Sequence, residues 1–528
     1  MTDDSMNDIR KQVQERVDQA LANASGPLAP DESPGITRKF VQECLSANEL
    51  GDGTLYARLV HNRFVYCNNT QEWFVWAGHY WKRDIMTESL AVIEGVVDAY
   101  LDEYRATGED IANLMDGAAE NWEDKNEKLK RLKSREEAIL SRVRQLRTHK
   151  RRMVTRMIAQ TLINPLAITG EAFDNKPLLF PCANGVIDLE LGELKPGNPS
   201  DYLSLASPIE FRGLDEPAPL WEKTLLEIFG DNQELVDYIQ RLFGYSITGL
   251  VQEKVFPVLY GRTGWNGRSL IIETISRVMG DLAAQIPSEM LLSQKYSRSS
   301  SGPSPDIMSL KGKRMVCASE IDEGQRFSTS KIKWLTGKDT IVGRNPHDKY
   351  QTHFLPTHKL FVMTNTQPSA PPNDKAFWER LHLIPFNISF VNRTPQEAHE
   401  RRAILDLDKQ IEKEGPGILA WLVRGFLLWQ QEGLNPPKDV TEATEQYRRN
   451  EDLLADWREE CCIHEPAAHE KGKPLYDNFI HWYHTNIGEK EPSATWFGKQ
   501  MGAKFDKSKS NGCVVYRGIA LKDNAQGE

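Results

Sequence analysis

The sequence predicts an α/β protein with a phosphate-binding core, on three observations. An apolar stretch, VFPVLY (Val255 to Tyr260), runs into the glycine-rich GRTGWNGRS (Gly261 to Ser269) and then into the helical LIIETISRVMG. Downstream, an apolar strand from Met315 to Ala318 ends in Ser319, Glu320, Asp322 and Glu323. A further strand, HKLFVMTN, ends in Asn365, and FWERLHLIPF sets Arg380 ahead of another apolar run.

Each element carries its own chemistry. A strand–loop–helix of the form G-x-x-x-x-G-K-[ST] turns backbone amides around phosphates and adds the positive end of the helix dipole. Its lysine reaches the terminal phosphates and its hydroxyl ligates magnesium. Gly264, Asn266, Gly267 and Ser269 fit that scheme, whereas Arg268 stands at the lysine position and Gly261 comes one residue early. The expected cofactors are ATP and Mg²⁺, bound over Gly261, Gly264, Trp265, Asn266, Gly267, Arg268 and Ser269. Acidic residues at the tip of a buried strand beside such a loop hold magnesium and polarise the attacking water. Glu320 is the expected catalytic carboxylate, sharing the metal with Ser269; Asp322 and Glu323 either join it or sit in a solvated turn. Asn365 would orient the γ-phosphate or the water, and Arg380 would act across a subunit boundary.

In this order and spacing the elements resemble the superfamily 3 helicases, specifically the phage, plasmid and poxvirus primase-helicase branch. The pieces are WEKTLLEIFGDNQELVDYIQRLFGYSITG, SPDIMSLKGKRMVCASEIDEG, IKWLTGKDTIVGR, FVMTNTQP and AFWERLHLIPF. The resemblance implies an AAA+ type ATPase core assembled as a ring, usually a hexamer, with ATP between subunits and single-stranded DNA in the channel. Travel in this family is usually 3′ to 5′. It also implies a β-hairpin between the acidic and sensor strands that carries basic residues to the DNA. Here that segment is TIVGRNPHDKYQTHFLPTHK, with Arg344, His347 and Lys349, and with His353 beyond them. Phosphate contacts need only charge and reach, so no sequence specificity is expected; the segment also reads as a solvated hairpin.

The chain departs from the family pattern at Arg268 and at Glu379, where two adjacent arginines are common. Arginine keeps the charge, but its planar fork is bulkier than an ammonium. Two functions therefore stand. One is an ATP-dependent DNA helicase replicating a phage, prophage or plasmid; the other is a ring-forming nucleotide-binding initiator or regulator with weak or no hydrolysis. An ATPase that remodels RNA or protein is a third.

At 528 residues several domains are expected. Residues 1–35 read as a polar tail too short for the primase domain that family members often carry, so a separate primase is an expected partner. Residues 36–215 form the domain preceding the core. Within it EWFVWAGHYW (Glu72 to Trp81) predicts paired strands turning at Ala77 and Gly78. Trp73, Trp76, Tyr80 and Trp81 serve as core, the commoner role, or as base-stacking platforms. NGVIDLELGELKPG belongs to the same domain. A long basic helix over about 120–160 carries the stripe Leu129, Leu132, Ile139, Val143 and Leu146. Its cluster Arg147, Lys150, Arg151 and Arg152 faces DNA backbone, a neighbouring subunit or solvent.

The ATPase core is expected over 216–400 and a helical connection over 401–455. A winged-helix domain over 456–528 would present Lys499, Lys504, Lys507, Lys509 and Arg517 to DNA or to protein, with Ser493 capping its second helix. Cys461, Cys462, His464 and His469 lack the paired spacing of a tetrahedral zinc site. Seven cysteines show no disulfide framework, which points to the cytoplasm of a bacterial host cell. There is no apolar run of spanning length and no secretory signal, so no membrane partner is expected. The net charge of −10 confines any DNA surface to a local patch such as a channel lining.

Overall fold

The computed structural model describes residues 35–117, 122–294, 302–319, 321–322, 324–346, 348, 351–452, 454–486, 491–510 and 513–522. The side chains of residues 503, 509 and 510 lie outside that description, as does nearly all of the polar tail. The chain forms two compact units. One runs to Phe173 and includes Asn198–Ser204; the other takes Asp174–Gly197 and everything from Leu205. The strands of the NGVIDLELGELKPG segment thus fall in the second unit, not the first, and the expected division at 215 moves to Phe173.

In the first unit, the helices Asn48–Leu59, Glu94–Asp116 and Trp122–Leu146 bury Leu55, Val96, Tyr100, Ile139 and Leu146 together. The hairpin expected from EWFVWAGHYW is present, pairing Trp76 with Trp81 across a turn at Gly78. Trp73 and Trp81 are core, while Trp76 and Tyr80 are half-buried. The stripe on the long helix also faces inward, at Ile139, Val143 and Leu146. In the basic cluster Arg147 and Lys150 are exposed, whereas Arg151 and Arg152 are half-buried. Arg147 pairs with Glu94 at 2.7 Å, Arg151 with Glu49 at 2.8 Å and with Asp52 at 2.6 Å, and Arg152 donates to the Leu90 carbonyl at 2.9 Å. Asp52 is fully buried and also accepts from Arg142 at 2.7 Å and from the Tyr100 hydroxyl at 2.9 Å. A buried carboxylate is tolerated only when paired, so Arg151 serves the unit's interior.

The second unit is organised by five strands: β1 (Phe256–Tyr260), β2 (Ala283–Ile286), β3 (Met315–Ser319), β4 (Lys359–Thr364) and β5 (Leu381–Pro385). Their order is β5-β1-β4-β3-β2 and every neighbouring pair is parallel. Parallel strands are buried on both faces and read as continuous apolar runs, which is why VFPVLY and RMVCA show no alternation. The faces separate residue by residue. Leu259, Cys317 and Phe361 join the helices α1 (Pro219–Ile228), α2 (Gln233–Ser246), α3 (Arg268–Met279) and α4 (Gly415–Glu432) in one core; Val258, Val316, Ala318 and Val362 join Phe327, Phe377 and Tyr447 in the other. Trp221 and Trp421 meet edge to face at 5.6 Å, locking α1 to α4.

Because all five strands run the same way, β1 and β4 end in register, Tyr260 opposite Thr364, and β3 reaches the same edge with Ser319 opposite Met363. Crevices at the carboxyl ends of such strands are where open α/β sheets bind ligands.

Beyond the sheet, the expected hairpin forms from Ile341–Gly343 and Thr352–Phe354. The C-terminal segment follows its predicted order: helix Gly472–Asn486, helix Ala494–Lys504, and a hairpin of Lys507–Ser510 with Cys513–Arg517. Ser493 caps the second helix, accepting from the Trp496 amide at 3.2 Å. A third strand, His469–Lys471, joins that hairpin unforeseen. Lys504 is a correction to the basic face: it is ion-paired to Asp452, a carboxylate shared with Arg458 at 2.9 Å. Lys499, Lys507 and Arg517 are exposed. Among the described residues no helix is long and apolar enough to cross a membrane, and no group of three or more His, Cys, Asp or Glu is placed to hold a metal.

Two buried histidines set an acid limit on this unit. Burial pushes His358, beside Lys359, and His382, bonded to the Tyr238 hydroxyl at 2.6 Å, down to about 4. Unfolded histidine protonates near pH 6.5. Between about pH 6.5 and 4 the unfolded chain therefore binds more protons, and stability falls as pH drops, by roughly 1.4 kcal/mol per pH unit for each histidine. Urea midpoints should decline from pH 7 to pH 5 and decline less in His358→Leu; equal midpoints would contradict the assignment.

Candidate phosphate-binding site

The loop leaves β1 at Gly261 and enters α3 at Arg268. Asn266, 3% exposed, closes it from within by donating Nδ2 to the Thr263 carbonyl at 2.8 Å. A Cβ on Gly261 would lie 2.0 Å from that same nitrogen and 3.0 Å from the Phe386 carbonyl, so only glycine fits there. Gly267 holds φ at +87°, a left-handed turn that L side chains avoid, and packs on Ile228. The helix opens without a side-chain cap, leaving its first amides available to an anion. Ser269 in that first turn is exposed, as are Gly264 and Trp265.

Arg268 is placed differently from the expectation. Only 8% exposed, it donates Nε to Asn266 Oδ1 at 3.0 Å, Nη1 to the carbonyls of Leu259 (3.4 Å) and Thr364, and Nη2 to Asn365 Oδ1. The guanidinium thus ties the loop to the ends of β1 and β4 instead of extending over the loop's open side. No carboxylate pairs with it among the described residues, and burial lowers its pKa from the usual guanidinium value. The structure therefore brings together Asn266, Arg268 and Asn365, three residues singled out from sequence. Thr366, just beyond Asn365, donates its hydroxyl to the Ile321 carbonyl at 3.1 Å, joining the sensor segment to the turn that follows β3. Glu320 and Glu323 lie outside the described residues; Asp322 is exposed.

Arg380 stands at the opposite edge of the sheet. It precedes β5, whose Leu381 pairs with Phe256 at the start of β1, and its carbonyl accepts from the Phe256 amide at 2.6 Å. A strand of five residues at about 3.3 Å each separates it from the loop by roughly 16 Å. Arg380 therefore cannot serve its own loop. Its Nη1 donates to the Ala376 carbonyl, while its buried Nε has no hydrogen-bond partner among the described residues. On the hairpin, Arg344 donates Nη1 to the Asp348 carbonyl at 3.3 Å and His353 is exposed; His347 and Lys349 lie outside the described residues.

Comparison with known proteins bears on this geometry. A family model described as "D5 N terminal like" matches residues 53–230. The chain is 28% identical over 335 residues to "Putative helicase L207/L206" of Acanthamoeba polyphaga mimivirus, covering 61% of this chain and 34% of that protein. It is 23% identical over 564 residues to "Putative helicase 022R" of Frog virus 3, covering 87% and 57%. It is 22% identical over 354 residues to "Putative primase C962R" of African swine fever virus, covering 63% and 36%. These similarities support the resemblance read from the sequence, to the superfamily 3 primase-helicases of phage and poxvirus type. These alignments span between a third and somewhat over half of each relative's length. Among solved structures, the NrS-1 C terminal region (305–718) aligns with a TM-score of 0.40 and 13% identity, over 70% of this chain and 89% of that one.

Sequence reasoning missed Ser389 and Phe390, which hold the loop from outside, and Thr263, the loop residue that Ser389 bonds. The extra residue between Gly261 and Gly267 was the one available signal, since a longer loop needs more support. Nothing in NISFVN marks Ser389.

Proposed function

We propose that this chain is an ATP-dependent DNA helicase acting in replication of a phage, prophage or plasmid, translocating on single-stranded DNA as a ring, in the cytoplasm of its host. Its second unit would be an AAA+ type core followed by a winged-helix domain. The observation that carries this reading is the split site: loop, β3 end and Asn365 share one sheet edge, while Arg380 lies about 16 Å away at the other. A site so divided is completed by a neighbour's Arg380, as in a ring. The relatives' names, helicase and primase, support the same reading.

In this account the loop amides and the α3 N-terminus bind the phosphates, and Ser269 with Glu320 would hold Mg²⁺. ATP would supply the phosphoryl group whose transfer to water drives the motor, and the ion, when bound, would neutralise charge that develops on it. Glu320 accepts the water's proton, Asn365 orients that water, and Arg380 from a neighbouring subunit stabilises the transferred charge. The hairpin with Arg344, His347 and Lys349 would grip the strand. A second reading, a ring-forming initiator that binds nucleotide with little hydrolysis, is favoured by one observation: Arg268 is already committed to Leu259, Asn266, Thr364 and Asn365.

Single-strand binding as a function of salt tests the helicase reading. Replacing Arg344 and Lys349 with Ala should weaken binding and reduce the log–log salt slope by about 1.4, roughly 0.7 per lost phosphate contact. An unchanged slope would remove the hairpin from the DNA path.

A further inference from the structure

The loop is one residue longer than the usual spacing, and Trp265 absorbs the difference. It sits at φ +58° with 79% of its surface exposed, a left-handed conformation disfavoured for a bulky side chain. Such a conformation persists only where its surroundings fix it. Here the surroundings are the segment that follows β5. The Phe386 amide donates to the Tyr260 carbonyl at 2.7 Å, holding that segment beside the end of β1. Ser389 and Thr263 share a hydroxyl–hydroxyl hydrogen bond of 2.7 Å, and the Phe390 amide donates to the Trp265 carbonyl at 2.7 Å.

The segment is itself held firmly. Ser389 is 8% exposed, and Ser389–Val391 pairs in parallel with Glu400–Arg402. The turn between these strands is pinned by the Glu400 carboxylate, which accepts from Arg393 at 2.8 Å and 2.5 Å and from the Gln396 amide at 2.7 Å. Arg393 and that amide hold the Glu400 carboxyl down to about 2, so the pin stays charged across the physiological range.

We propose that this two-stranded ribbon is a positioning device for the phosphate loop. Ser389, through Thr263, and the Phe390 amide, through the Trp265 carbonyl, fix the backbone of residues 263–265 in the shape that receives phosphate. A loop lengthened by one residue has more conformations to lose on binding, and the ribbon removes them beforehand. The proposal rests on the reading of this loop as a nucleotide site.

The test uses the full chain with Ser389→Ala, Ser389→Thr, Thr263→Val and the double variant Thr263→Val/Ser389→Ala. ADP binding by calorimetry should weaken about five- to tenfold in each of the two single variants that remove a hydroxyl, the range expected for one hydrogen bond. The loss should fall on KM more than on kcat, and Ser389→Thr should restore it. Because the two hydroxyls share one bond, the double variant should be no worse than the weaker single. Amide exchange over residues 262–266 should accelerate in Ser389→Ala. Native ADP affinity with unchanged exchange, or fully additive losses, would overturn the proposal. Should the native chain itself not bind ADP, the nucleotide reading fails, and the exchange of residues 262–266 still decides whether the ribbon holds the loop. Thr263 lies on the exposed loop, so its variant keeps the test valid if Ser389→Ala folds poorly.

Discussion

Arg268→Ala is expected to abolish nucleotide binding and to destabilise the second unit by about 3 kcal/mol or more. The guanidinium satisfies four acceptors at once: Asn266 Oδ1, Asn365 Oδ1 and the Leu259 and Thr364 carbonyls. Leaving a buried polar group without its partner costs about 1–3 kcal/mol, and alanine orphans several. Arg268→Lys should be intermediate, since an ammonium is a compact point donor and cannot span all four. The measurement is the urea midpoint with and without nucleotide. A variant as stable as the native chain would show that the guanidinium does not hold the loop to β4.

Arg380→Ala is expected to reduce ATP turnover by about a thousandfold while leaving nucleotide affinity intact, the size of effect an arginine acting in trans produces. Geometry supplies a sharper form of the test. Gly267→Val should disable the loop alone, because its φ of +87° and its approach to Ile228 exclude a side chain. Mixing Arg380→Ala subunits with Gly267→Val subunits creates interfaces with an intact loop facing an intact arginine. Part of the activity should return on mixing. No recovery would place Arg380 outside the site.

The path from sequence to site was uneven, for physical reasons. Four of the five strands were legible because a sheet buried on both faces demands unbroken apolar runs, and the loop because glycine at positions such as 267 answers to backbone geometry; the edge strand β2, which buries only Ile286, was not. Asn266, Arg268 and Asn365 were each singled out, but not their mutual bonds. An arginine at a lysine position announces its charge, not whether it points outward or into carbonyls. The partners within the basic cluster were hidden for a related reason: Glu94, which pairs with Arg147, and Asp52, which pairs with Arg151, come from helices far away in sequence. Lys504 was misread in the same way, since Asp452 lies 52 residues away in the chain. The third strand at His469–Lys471 is short and polar, and carries no periodic signal.

Steady-state ATP hydrolysis, with and without single-stranded DNA, tests the central claim most directly, comparing the native chain with Arg268→Lys and Arg268→Ala. The helicase reading predicts DNA-stimulated turnover in the native chain that is lost in Arg268→Ala. A native chain that does not hydrolyse ATP at any DNA concentration, with turnover appearing only in Arg268→Lys, would contradict it and leave a nucleotide-gated ring that binds DNA without moving along it.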